Sequence, residues 1–175
     1  MGNILPLRSK LIDWEMGSFI GKVQAKTDAA GRVFIPSNFR KVLQSMDESC
    51  LVLRKDVYQD CIVLHPKKLW DEEYKKLEEN LNDWGDPEKQ KTFRMISWSV
   101  EEVELDSNGR ILIPKYYLQE AKISGSVFFV GMNKSIEIWN PDQFMKVLLS
   151  SDDFKSNVRK FLSNSRKPSE KNDQQ

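Results

Sequence analysis

Two arginines, Arg32 and Arg110, occupy the same place in a nonapeptide that occurs twice in this 175-residue chain. The copies span residues 28–36 and 106–114, and both have the pattern Asp-x-x-Gly-Arg-φ-φ-Ile-Pro, in which φ is apolar. A guanidinium that follows a turn can offer parallel donors to a phosphate or to the edge of a guanine. The repeated arginines are therefore candidates for nucleic-acid binding. The alternative is that each arginine only pairs with the aspartate of its own motif and fixes the turn.

The aspartates and glycines of the two motifs have a structural explanation. Asp28 and Gly31 suit the first and fourth positions of a type I turn, and Asp106 and Gly109 suit the same positions in the second copy. These four residues are predicted to form turns, so only the arginines exceed what folding requires.

Three further basic residues, Lys22, Lys26 and Arg40, lie near the first motif in sequence and could add phosphate contacts. The formal net charge of +1 gives no support to nucleic-acid binding, but the 27 basic residues could still concentrate on one face. We therefore expect Arg32, helped by Lys26 and Lys22, to make the main contact and Arg110 to make the second.

Enzyme chemistry finds little support in the residue types. The single histidine, His65, precedes a proline and has no obvious nucleophile partner, and the motif glycines do not form a phosphate-binding loop. Cys50 and Cys61 lack metal-ligand spacing and are expected to be reduced. We predict no catalytic residue, metal, cofactor or small-molecule substrate. No apolar run reaches the roughly 20 residues that cross a bilayer, so no membrane partner is expected.

The periodicity of apolar residues predicts the same order of elements around each motif: a strand, the turn, a short strand, a short helix and a hairpin. In the first copy the strands are predicted at 18–26, 33–35, 51–54 and 61–64, and in the second at 98–105, 111–113, 126–130 and 135–139. Each short helix is predicted to begin at the motif proline. The chain is therefore predicted to contain two copies of one small unit.

The residues between the copies have a helical pattern. Apolar residues at alternating steps of four and three predict one amphipathic helix over 67–84, with Trp70, Tyr74 and Trp84 on its apolar seam. Asp86 is a plausible N-cap, with Pro87 after it, for a second helix that reaches about residue 96. The aromatic seam is typical of a core, and a partner surface is the alternative.

The pattern divides the chain into six segments. They are an N-terminal arm (1–17), a first repeat (18–66), a helical connector (67–97), a second repeat (98–141), a C-terminal helix (142–162) and a polar tail (163–175) that is predicted to be disordered.

Three landmarks accompany the doubled motif: Phe19-Ile20-Gly21, Cys61-Ile62-Val63-Leu64-His65-Pro66 with Trp70, and Val130-Gly131 with Glu137-Ile138-Trp139. Together they resemble the MraZ family over about residues 18–145. The resemblance implies an α+β fold: a swapped-hairpin β-barrel of the AbrB (SpoVT-AbrB) type, formed by two pseudo-symmetric repeats with peripheral helices. It also implies a ring-shaped homo-oligomer.

The resemblance further implies a cytoplasmic, nucleoid-associated transcriptional regulator. Such a protein would bind double-stranded DNA at short direct repeats upstream of the division and cell-wall gene cluster. The family's DNA-binding positions fall on Arg32 and Arg110, and its second-helix arginine is matched by Arg40 in the first repeat but by Leu118 in the second. The alternative is an AbrB-like protein-interaction module or antitoxin with weak or no DNA binding.

Overall fold

The computed structural model describes residues 17–149 and 154–164, which contain eight strands and six helices. The first repeat contains β1 (Lys22–Lys26), β2 (Arg32–Phe34), α1 (Ser37–Ser45), β3 (Cys50–Lys55) and β4 (Cys61–Pro66). The connector contains α2 (Lys67–Leu81) and α3 (Pro87–Trp98). The second repeat contains β5 (Val100–Glu104), β6 (Arg110–Leu112), α4 (Lys115–Glu120), β7 (Ser126–Gly131) and β8 (Ile136–Trp139), and α5 (Pro141–Leu149) and α6 (Phe154–Asn164) follow. The predicted α+β class is confirmed.

The strands of the two repeats are interleaved. The larger sheet has the order β1-β7-β8-β4-β3-β5, and all of its pairings are antiparallel. Its two outer strands are exchanged, because β1 of the first repeat pairs with β7 of the second and β5 of the second pairs with β3 of the first. The registers are equivalent: Lys22 lies opposite Val130, and Val100 lies opposite Arg54. Among the described residues this sheet has β1 and β5 as open edges.

One apolar core serves both repeats. Period-two alternation directs Leu51 and Leu53 of β3, and Val127 and Phe129 of β7, into this core, and all four are fully buried. Burying each such side chain stabilises the fold by roughly 1.5–3 kcal/mol. The hydroxyl of the buried Tyr117 donates to the carbonyl oxygen of Ser99 at 2.9 Å. Burial raises the pKa of Tyr117 to about 12, so the side chain keeps its proton for this bond.

The helices form where the sequence predicts amphipathic segments. In α1, Phe39 and Leu43 lie one turn apart and are both buried against the core. In the connector, the Asp86 carboxylate accepts the backbone N–H groups of Glu88 and Lys89 at 3.0 and 3.1 Å, which is the predicted N-cap. None of the described helices is long and apolar enough to cross a membrane.

Three sequence-based boundaries in the repeats and the connector were wrong. The first strand begins at Lys22 and not at residue 18, because Gly21 has a φ of +102° that interrupts the extended chain. The connector helix ends at Leu81, and Trp84 lies beyond it in a turn, 93% exposed. Trp98 ends α3 instead of starting a strand.

The C-terminal segment contains two described helices, α5 and α6, where one helix over 142–162 was expected. Residues 150–153 between them lie outside the described residues, as do most of the predicted arm (1–16) and tail (165–175). The described chain divides into two compact units, one up to Pro141 and one from Asp142 onward.

Candidate nucleic-acid interface

The first motif forms a closed turn around Asp28. One carboxylate oxygen accepts the backbone N–H groups of Ala30 and Arg32, both at 2.9 Å. The N–H of Gly31 donates to the Asp28 carbonyl at 3.0 Å, and Gly31 has a φ of +93°. This left-handed backbone favours glycine, so the motif residues other than arginine are accounted for by the turn.

The second motif repeats these bonds closely. Asp106 accepts the backbone N–H groups of Asn108 and Arg110, both at 2.9 Å, and the Gly109 N–H donates to the Asp106 carbonyl at 2.9 Å. Gly109 has a φ of +82°. The same four positions therefore build the same turn in both repeats.

Each arginine is held by its own aspartate. Nε of Arg32 donates to Oδ2 of Asp28 at 2.8 Å, and Nε of Arg110 donates to Oδ2 of Asp106 at 2.9 Å. The pKa of each aspartate lies below its usual value, mainly because the arginine backbone N–H and then its guanidinium stabilise the carboxylate. Both carboxylates thus stay ionised at neutral pH and hold the guanidinium groups in place.

These ion pairs leave part of each guanidinium available. Among the described residues, the hydrogen bonds of Arg32 and Arg110 to protein side chains use Nε only, so the edge formed by Nη1 and Nη2 keeps its donors. The side chains of Arg32 and Arg110 are 48% and 28% exposed. The aspartate therefore orients a two-nitrogen edge that can bind phosphate or guanine.

The two motifs meet in a second, two-stranded sheet that we call the β2–β6 ribbon. Arg32 lies opposite Leu112, Val33 opposite Ile111, and Phe34 opposite Arg110. The ribbon ends are bonded symmetrically, because the Ile35 N–H donates to the Gly109 carbonyl at 3.0 Å and the Ile113 N–H donates to the Gly31 carbonyl at 2.9 Å. Each turn is therefore fixed by the strand end of the other repeat.

The ribbon has one buried and one exposed face. Val33 and Ile111 face the core and are each 1% exposed. The opposite face presents Arg32, Phe34, Arg110 and Leu112, and we call these four residues the ribbon face. Sequence reasoning brought the two arginines forward but did not single out Phe34 and Leu112. Strand alternation was the available signal, because residues two apart in a strand lie on the same face, as Arg32 and Phe34 do, and also Arg110 and Leu112.

Arg40 lies at the second turn, although in sequence it is near the first. A Cβ on Gly109 would lie 2.5 Å from a terminal nitrogen of Arg40, which shows how closely the guanidinium covers this glycine. Arg40 also lines a shallow cavity of about 310 Å³ with residues of the second turn. Leu118 corresponds to Arg40 in the second repeat, and it would lie 3.2 Å from a Cβ added to Gly31. Because elements are exchanged between the repeats, Arg40 of the first repeat lies at the turn of the second repeat.

Lys22 and Lys26 lie on the exposed side of β1, with Gln24 between them. The ammonium of Lys22 is 4.6 Å from the centre of the Phe128 ring. At the equivalent outer strand of the second repeat, β5, the exposed residues include Glu102 and Glu104. One outer strand of the sheet is thus basic and its counterpart acidic.

His65 lies against the core. Its Nε2 accepts from Nε of Arg54 at 3.1 Å, and its ring centre lies 5.1 Å from that of Trp70, with the two rings tilted by 51°. Burial, and then the nearby Arg54, lower the pKa of His65 to about 4, so the ring is neutral at physiological pH. Cys50 and Cys61 are free thiols, and burial raises the pKa of each. Within the described ranges, no group of three or more potential ligands could hold a metal ion.

Comparison with known proteins places the chain beside one family. The family described as "MraZ protein, putative antitoxin-like" matches residues 18–91 and 99–164. A protein named Transcriptional regulator MraZ from Phocaeicola vulgatus is 45% identical over 144 residues, which cover 82% of this chain and 93% of the relative. Proteins with the same name from Bacteroides fragilis and Bacteroides thetaiotaomicron are 43% and 46% identical, covering 85% and 78% of this chain and 94% and 86% of the relatives.

Proposed function

The chain belongs to the MraZ family, and from that premise we propose that it is a transcriptional regulator that binds double-stranded DNA through the ribbon face. We assign it no catalytic activity, and we place it in the cytoplasm, associated with the nucleoid. Its targets are short direct repeats upstream of the division and cell-wall gene cluster.

The observation that carries this proposal is the position of the two arginines. Arg32 and Arg110 lie on one exposed face of one rigid ribbon, and each is oriented by an ionised aspartate. An antiparallel ribbon fits the major groove of B-DNA, which is about 12 Å wide. Ion pairing with its own aspartate therefore positions each arginine for DNA and does not compete with that role.

The remaining basic residues supply further phosphate contacts. Lys22 and Lys26 extend the basic surface along β1, and Arg40 adds a cation beside the second turn. The resemblance to the family implies a lysine before the motif glycine, where this chain has Ala30 and Asn108. It therefore implies two fewer phosphate contacts. Affinity per subunit should fall accordingly.

Assembly compensates for modest affinity per subunit. We propose that repeats 18–66 and 98–141 close a swapped-hairpin β-barrel, with connector 67–97 outside it, and that several chains form a ring. Neighbouring subunits in a ring can each bind one direct repeat, so that weak contacts multiply. The exchange of β1 and β5 between the repeats supports the swapped arrangement.

Genome-wide footprinting of the tagged protein is the first test, with enrichment over repeats upstream of its own gene as the expected result. The duplex from the strongest footprint then serves in anisotropy titrations of the wild type and of Arg32→Ala and Arg110→Ala. Each arginine should contribute roughly fivefold to 150-fold in affinity, since a bidentate contact to guanine is worth about 1–3 kcal/mol.

Arg94→Ala is the matched control, because it removes one exposed arginine from α3 in the connector. Equal affinities of the control and the two ribbon variants would remove the ribbon face from the interface. No footprint and no salt-dependent binding would refute DNA binding altogether.

The second candidate function is that of an antitoxin-like interaction module, which the family description favours. The helix α6 carries Phe154, Val158 and Phe161 at helical spacing, and these side chains are exposed. A stoichiometric protein partner, recovered with no DNA binding, would support this function over the first.

A further inference from the structure

The ribbon face is half apolar. Phe34 is 54% exposed and Leu112 is 52% exposed, although Val33 and Ile111 on the other side of the same strands are completely buried. An isolated exposed apolar side chain needs no explanation. Here two exposed apolar side chains alternate with two arginines on a surface of four residues. The exposure of Phe34 and Leu112 is therefore a property of the ribbon face and not of one isolated residue.

The pairing joins each apolar residue to an arginine of the other repeat. Leu112 lies opposite Arg32, and Phe34 lies opposite Arg110. The guanidinium carbon of Arg110 is 5.7 Å from the centre of the Phe34 ring, within the range of a cation–π contact. The ring and the guanidinium are thus held together as one recognition unit.

The dimensions suit the edges of stacked base pairs. Arg110 is two residues from Leu112, the partner of Arg32, so the two arginines are offset by ~7 Å along the ribbon. Base pairs stack about 3.4 Å apart along each strand, so this offset corresponds to two base-pair steps. Each apolar side chain lies directly across the ribbon from an arginine, so a ribbon in the major groove would bring it close to the base that the arginine binds.

Only one base presents an apolar group in the major groove, namely thymine through its C5-methyl group. We propose that Phe34 and Leu112 contact thymine methyl groups next to the bases bound by Arg110 and Arg32, so that each half of the ribbon face reads an adjacent pair of bases. This inference rests on the proposed DNA binding. The two arginines favour DNA as the occupant of this surface, because their charge complements phosphate and base acceptors and would be costly in a purely apolar interface.

The test compares thymine with deoxyuridine, which lacks only the methyl group. The probe is the duplex from the strongest footprint, prepared with thymine or with deoxyuridine throughout the footprint, and binding to both is measured by anisotropy. Wild-type protein should bind the deoxyuridine duplex about fourfold more weakly for each methyl group contacted, as expected for one buried methyl. This arm needs no change in the protein.

The protein variants locate the contact. Phe34→Ser and Leu112→Ser should each bind the thymine duplex more weakly and lose part of the discrimination against deoxyuridine, and the double variant should bind both duplexes equally. Tyr58→Ala removes an aromatic side chain from the β3–β4 turn, where it is 89% exposed, and should keep the full discrimination. Far-UV circular dichroism establishes that the variants are folded.

Four results would overturn the inference, the last of them together with the proposed function. Equal binding of the wild type to both duplexes, with salt-dependent affinity intact, would remove the methyl contact but leave DNA binding in place. Full discrimination by the double variant would assign the contact to other residues. A fall in molecular mass of Phe34→Ser in sedimentation, with discrimination unchanged, would assign the apolar pair to an interface with a second copy. Absence of binding to either duplex would refute the proposed function itself.

Discussion

The two turns of this protein have the same hydrogen bonds but different surroundings. Asp28 and Asp106 each accept the same two backbone N–H groups and the same arginine Nε, with distances that agree within 0.1 Å. The glycine of the first turn meets the Ile113 carbonyl and Leu118, whereas the glycine of the second meets the guanidinium of Arg40. Local sequence fixes a turn, but the other repeat supplies its environment.

The glycines should separate the two turns most strongly. In Gly31→Ala the new Cβ would lie 2.5 Å from the Ile113 carbonyl oxygen, a backbone atom that cannot move alone. Left-handed backbone and overpacking together should lower the free energy of unfolding by about 2–4 kcal/mol. In Gly109→Ala the atoms nearest to the new Cβ belong to the flexible Arg40 side chain, so this variant should lose about 1–2 kcal/mol. Urea denaturation measures both, and equal losses would contradict the asymmetry.

A second difference concerns pH, because His65 of the first repeat is replaced by Asn140 in the second. The pKa of His65 is about 4 in the folded protein and near 6.5 when unfolded, so the unfolded chain binds a proton first as pH falls. The stability contribution is complete above pH 6.5 and is lost on acidification through pH 4. By pH 5 the loss should reach about 2 kcal/mol.

His65→Asn copies the second repeat at this position and should flatten that pH dependence. Denaturation curves of the variant and wild type, recorded at pH 7.5 and pH 5, give the comparison. The carboxylates titrate in both proteins, so their contribution to the pH dependence of stability cancels in the difference. An unchanged pH dependence in the variant would show that folding does not lower the pKa of His65.

The outer strands differ in charge, which should appear in DNA affinity. Lys22→Gln combined with Lys26→Gln should weaken binding about tenfold and reduce the slope of log K against log salt by roughly 2. Glu102→Gln combined with Glu104→Gln should strengthen binding without reducing the slope. Titrations at several salt concentrations separate these effects. Equal slopes for the lysine variant and the wild type would exclude β1 from the phosphate contacts.

The smallest expected effect concerns Arg40 and its counterpart Leu118. Arg40→Leu should weaken DNA binding roughly threefold to fivefold, the share of one phosphate contact. Adding Leu118→Arg transfers the cation to the first turn, and should recover the affinity while making Arg32 more important than Arg110. Anisotropy titrations give the DNA affinity of the wild type, of each single variant and of the double variant. If the effect of Arg40→Leu disappeared in the Arg32→Ala background but not in the Arg110→Ala background, the placement of Arg40 at the second turn would be contradicted.

Local features of this fold were predictable from sequence, and non-local features were not. The turns, the N-cap at Asp86 and the buried faces of the short helices follow from residue preferences over a few positions. Trp84 and Trp98 were assigned to a seam and a strand because periodicity alone cannot show where a helix ends. The transfer of Arg40 to the second turn depends on strand exchange between residues far apart in the chain, and no local pattern records it.

The candidate site was predictable to a similar degree. The repeated motif identified Arg32 and Arg110, and their turn geometry followed from Asp and Gly preferences. Their position on one shared face could not be obtained, because it requires the register of β2 against β6. The same register places two apolar motif residues, Phe34 and Leu112, on the exposed face of the ribbon.

The exchanged outer strands have a consequence for synthesis of the protein on the ribosome. Gln24 of β1 donates to Ser126 of β7, a residue 102 positions later. At roughly 5–20 residues per second, β1 would wait about 5–20 s for its partner strand to be made. The first repeat therefore cannot complete its sheet during translation until nearly the whole second repeat has emerged, and the nascent chain must keep an unpaired strand in solution for that interval.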